Sequence, residues 1–78
     1  MKTNRPIHQI ADEINGDWNN VYFGAKPYLQ AMYTLNTVND SYYSDSARSI
    51  INYFLANAST WRGETAKRIK KELKELIK

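Results

Sequence analysis

Apolar residues recur every three or four positions along nearly the whole chain, and that spacing, helical rather than alternating, predicts an all-α fold. Ile7, Ile10, Ala11, Ile14, Trp18 and Val21 form the first stripe, with Pro6 placed where a first helical turn tolerates a missing amide proton. This first helix spans about residues 6–20, unless it breaks at Asn15–Gly16, since glycine costs about 1 kcal/mol against alanine inside a helix and Asp17 can cap a restart. Gly24 and Pro27 bracket the start of a second helix, about 25–36, whose stripe is Tyr28, Leu29, Ala31, Met32 and Leu35. The segment NTVNDSYYSDS is dense in Asn, Asp and Ser, which compete with helical hydrogen bonds, so it reads as the longest loop. Ser44 or Asp45 can cap a third helix, about 45–57, carrying Ala47, Ile50, Ile51, Phe54 and Leu55. Ser59 or Thr60 can cap a fourth, about 60–77, carrying Ala66, Ile69, Leu73, Leu76 and Ile77. The expectation is one helical domain, 1–78, a compact bundle or orthogonal array of four short helices.

A chain of 78 residues supplies one core and no second domain. Ile14, Leu29, Ile51, Phe54, Ile69 and Leu73 are the residues expected to fill it, and Trp18 and Trp61 are large enough to dominate its energetics. Gly63 falls at the third position of the last helix if Thr60 is the cap. Glycine is a poor helix former there, so close approach of another helix, near Trp61 and the second helix, is expected. No run of 18 apolar residues occurs, and the start, MKTNRPIHQIADE, lacks the apolar core of a signal peptide, so the reading is a cytoplasmic protein without membrane contact.

Chemistry-bearing residues are few. The absence of cysteine removes disulfides, zinc–thiolate and iron–sulfur sites and thiol nucleophiles. His8 and Asp12 share a helix face at i, i+4, but two ligands from one helix do not make a metal site and there is no second histidine. Gly16, Gly24 and Gly63 match neither phosphate-loop spacing. The chain is therefore expected to be non-enzymatic and to carry no cofactor. Tyr42 and Tyr43 have no place in the local periodicity; either the loop folds back onto the core or the pair touches a partner.

Charge is the most informative pattern. Residues 62–78 hold seven Lys or Arg and three Glu, while the rest of the chain holds four basic and five acidic residues. Turning each residue by about 100° puts Lys67, Lys70, Lys71, Lys74 and Lys78 on one arc of the last helix, with Glu64, Arg68, Glu72 and Glu75 on the opposite flank of its apolar stripe. Like charges at i, i+4 cost a few tenths of a kcal/mol each. Three structural offsets are available: the helix C-terminus favours cations, lysine stems can lie over apolar surface, and Asp12, Glu13 or Asp17 can pair with the stripe. The functional alternative is a row of charges facing phosphate or an acidic protein.

Two stretches, DWNNVYFGAKPYLQAM (residues 17–32) and INYFLANASTWRGETAKRIKKEL (residues 51–73), resemble small uncharacterised proteins encoded by phages and prophages of low-GC Gram-positive bacteria. The resemblance implies a phage accessory protein inside a bacterial host cell and transfers no activity or site residue. The functional expectation is a non-enzymatic protein that binds another macromolecule, foremost a host or phage protein, with Tyr42, Tyr43 and Arg62 as contacts and Lys67, Lys70, Lys71, Lys74 and Lys78 facing phosphate or an acidic partner. Two alternatives accompany it: weak, sequence-nonspecific nucleic-acid binding through the lysine stripe, and inhibition of a host defence system. The oligomeric state is left open by the sequence.

Overall fold

The computed structural model describes residues 5–78. In chain order these form α1 (Ile7–Asp17), α2 (Lys26–Met32), β1 (Ser41–Tyr42), β2 (Asp45–Ser46), α3 (Ala47–Ala56) and α4 (Glu64–Leu76). Packing is between α2 and α3, and between α1 and both α2 and α4. The fold is mostly helical rather than strictly all-α.

Each helix is shorter than its stripe suggested, and each truncation has a local cause. α1 begins after Pro6, and the amides of Ile7 and His8, orphaned at a helix start, donate to the carbonyls of Asn36 and Leu35, both at 2.9 Å. The helix runs through Gly16 without a break and stops at Asp17, short of Asn20, because Trp18 takes an extended conformation that turns its ring inward. Past Met32 the chain tightens into i to i−3 hydrogen bonds at Tyr33, Thr34 and Leu35, which ends α2 before residue 36 yet still delivers Leu35 to the core.

The expected longest loop contains a hairpin. β1 and β2 are antiparallel, with Ser41 opposite Ser46 and Tyr42 opposite Asp45, and Tyr43 and Ser44 form the two-residue turn. Before it, the Asp40 carboxylate accepts from the amides of Asn36 at 2.8 Å and Thr37 at 3.2 Å, closing the turn that follows α2. Ser46 rather than Ser44 or Asp45 caps α3, its hydroxyl accepting from the Ser49 amide at 3.1 Å, because the hairpin holds the two earlier residues outside the helix.

α4 likewise starts at Glu64, later than a Ser59 or Thr60 cap would place it. The intervening residues carry Trp61 into the interior, where its ring stacks on Trp18 at 5.7 Å between centroids and 11° between planes. Phe54 meets the two indoles edge-on at 6.1 and 6.4 Å. Ile14, Leu29, Ile51, Phe54, Ile69 and Leu73 are all buried as expected, in one cluster with both tryptophans. The reading of Gly63 is corrected. No atom lies within 4 Å of where its Cβ would stand, so no helix approaches it. What requires glycine is the backbone, at φ 115° and ψ 179°, a region that side chains exclude.

Three measurements check this account. Phe54→Ala should lower unfolding free energy by about 3 to 5 kcal/mol, since the ring touches both tryptophans. Gly63→Ala should cost about 1 to 3 kcal/mol through backbone strain alone. Gly16→Ala, in open space on a helix, should instead stabilise by about 0.5 to 1 kcal/mol. Urea titrations of the three variants decide, and a Gly63→Ala protein as stable as the parent would contradict the assignment of strain.

Candidate interaction surfaces

Arginines, not lysines, take Glu13 of α1. The Arg5 guanidinium donates from Nη1 to Glu13 at 2.8 Å and makes a two-pronged contact with Glu72, Nη2 at 2.8 Å and Nε at 3.1 Å. Arg68 binds the second oxygen of Glu13, so the four groups tie α1 to α4. Hydrogen bonds from Arg68 and then Arg5 hold the Glu13 carboxyl below its usual range, and the bond to Glu72 holds Arg5 above its own. Asp17 is engaged by the Trp61 indole, whose Nε1 donates at 2.8 Å. None of the acids expected to neutralise the lysine stripe pairs with it among the described residues.

The stripe itself divides. Lys70 turns inward, half-buried, its Nζ donating to the Trp61 carbonyl at 2.6 Å and lying 5.9 Å from the centre of the indole. Burial, then Lys74 and Arg62, lower its pKa. Lys78 reaches Glu75 at 3.4 Å. Lys67, Lys71 and Lys74 remain exposed and unpaired among the described residues. Arg62, also exposed, shares with Trp61, Lys67 and Lys70 a groove of about 500 Å³ at the start of α4.

The two tyrosines part company in the same way. Tyr42 is half-buried against the core, while Tyr43 is 88% exposed, touching Tyr42 edge-on at 4.7 Å. Tyr43 is also the one non-glycine residue of positive φ among those described, at 56°. Arg62 does not join them. The hairpin abuts the start of α3, where the Arg48 guanidinium donates to the carbonyl of Ile77 at 2.7 Å, so it sits by the end of α4, whereas Arg62 precedes the beginning of that helix.

Sequence reading passed over another exposed aromatic group. Phe23 is 75% exposed and packs on Tyr22 at 4.9 Å; beyond them, Tyr28 of α2 stacks on Tyr53 of α3 at 5.4 Å. Adjacent aromatics in a connection, the same signal that singled out Tyr42 and Tyr43, mark Tyr22 and Phe23 too. Gly24 makes room for that pair, since a Cβ there would lie 2.6 Å from the Tyr22 ring.

Among the described residues no three of His, Asp and Glu converge on a point that could hold a metal ion, and no helix is long and apolar enough to cross a membrane. No family model, curated protein or solved structure matches the chain.

The Arg5 cluster has a pH signature. Glu13 titrates lower when folded than its ordinary 4.5, so its stabilisation is present above that pH and lost as the pH falls through the lowered folded value. Asp40 acts in the same direction from an ordinary 3.8, held down by the Asn36 and then the Thr37 amide. Unfolding midpoints should therefore fall on acidification below pH 4.5, and Glu13→Gln should flatten part of that limb. An unchanged acid limb in the variant would show that the cluster contributes nothing to folding.

Proposed function

We propose that the chain is a non-enzymatic phage accessory protein that acts by binding a partner protein through the tyrosine at the hairpin tip. The observation that carries this reading is the placement of Tyr43. A bulky residue at positive φ costs of order 1 to 3 kcal/mol and persists only when the surroundings enforce it. Here that cost supports no burial, since the side chain is 88% exposed. The two-residue hairpin turn needs a positive φ at this position, but glycine would supply it without strain. A tyrosine here adds nothing to the turn, whereas it supplies large contact area with little conformational entropy to lose at an interface. Tyr42, packed beneath on the core, gives the tip a rigid base.

The reading makes stability and binding respond in opposite directions. Glycine accepts positive φ freely, so Tyr43→Gly should leave the protein at least as stable as the parent in thermal unfolding. The same variant should lose the partner in affinity capture from nuclease-treated lysate of the producing cells. If Tyr43→Gly retained every protein bound by the parent chain, the hairpin tip would not be the contact.

A further inference from the structure

The solvent side of α4 carries a second surface, independent of the hairpin. Three of the acids near it are taken: Glu13 and Glu72 by arginines, and Glu75 by Lys78 at the end of the arc. Lys67, Lys71 and Lys74 are left exposed along about 10 Å of helix, and Arg62 extends the row across the groove it shares with Lys67. Glu64 is the carboxylate lining that groove, in the first turn, where the helix dipole favours an anion.

We propose that Arg62, Lys67, Lys71 and Lys74 form a surface for the phosphate backbone of duplex DNA, bound without regard to base sequence. Three features of the row favour that occupant. Neither burial nor ion pairing accounts for these cations, in contrast to Lys70 and Lys78. No apolar side chain lies between the three lysines on the helix wheel, whereas a protein interface is built on an apolar centre from which lysine is depleted. Single strands are held by bases stacked on aromatic rings, and the row offers none, its neighbour Trp61 being buried. Phosphates on a regular duplex need only positive charges on a rigid support, which α4 provides.

Fluorescence anisotropy of the full chain with a labelled mixed-sequence duplex tests the assignment. Four cations predict that log affinity falls against log salt with a slope near −3.6, about 0.9 per contact, and that duplexes of unrelated sequence bind alike. Lys71→Gln and Lys74→Gln should each remove about 0.9 from the slope, with helicity retained because glutamine is nearly as good a helix former as lysine. Arg68→Gln, whose guanidinium is turned to Glu13, should leave the slope in place. The proposal is overturned if no binding is seen at about 50 mM salt, where contacts of this number hold best. It is overturned equally if both glutamine variants keep the parent slope, or if a single strand or poly-L-glutamate binds more tightly than the duplex. Poly-L-glutamate binding lost in the same variants would assign the face to an acidic protein instead.

Discussion

Burial of Trp61 is the constraint on which most of this structure turns. Its indole lies flat on Trp18, takes Phe54 on edge, and satisfies its one donor on Asp17. An indole enters an interior at low cost only when its N–H finds an acceptor. To bring the ring there, the segment before α4 leaves helical conformation, and the way back into the helix passes through Gly63 at a φ of 115°. The Trp61 carbonyl, outside any helix, accepts instead from Lys70. At the other side of the stack, Trp18 ends α1 by the same need to point inward. One aromatic contact thus sets two helix boundaries, one glycine and the orientation of one lysine.

The charges sort themselves by side-chain chemistry. Between α1 and α4 the pairs are all arginine with glutamate, and Arg5 offers a planar fork that matches the Glu72 carboxylate at two points. Lysine, a point charge on a flexible stem, gains less from such a partly buried site. Glu13 and Glu72 are thus committed to arginines between α1 and α4 and do not reach the outer face of α4. On that face, among the described residues, Lys67, Lys71 and Lys74 stand unpaired, with Glu64 as the nearby free carboxylate.

Exposed aromatics follow a comparable logic. Tyr42 packs half-buried against the core from within the polar segment, while its neighbour Tyr43 is left exposed at the turn. Tyr28 and Tyr53 cover each other across the α2–α3 seam, whereas Phe23 leans on Tyr22 alone. The interior is filled by aliphatic residues and the three-ring cluster, which leaves several rings for the surface of so small a protein.

Helical periodicity is a local property, so the sequence by itself determined that there would be four helices, which face of each would be buried, and that Phe54, Ile69 and Leu73 would meet inside. It also placed the five lysines on one arc of the last helix. Helix ends, the Ser41–Ser46 hairpin and the choice among the five lysines were decided by the tertiary structure. Two-residue strands are too short to show a period, and the turn at Tyr43–Ser44 lacks the glycine that usually announces a hairpin. The sequence suggested Asp17 as a cap and Gly63 as a packing site, and neither is what the structure shows: both serve Trp61, which is 44 residues away from Asp17 along the chain. Lys70 and Lys71 are neighbours in sequence, and only the position of the Trp61 carbonyl distinguishes them. Such assignments depend on which distant groups share a desolvated space, and that is information the spacing of residues along one helix does not contain.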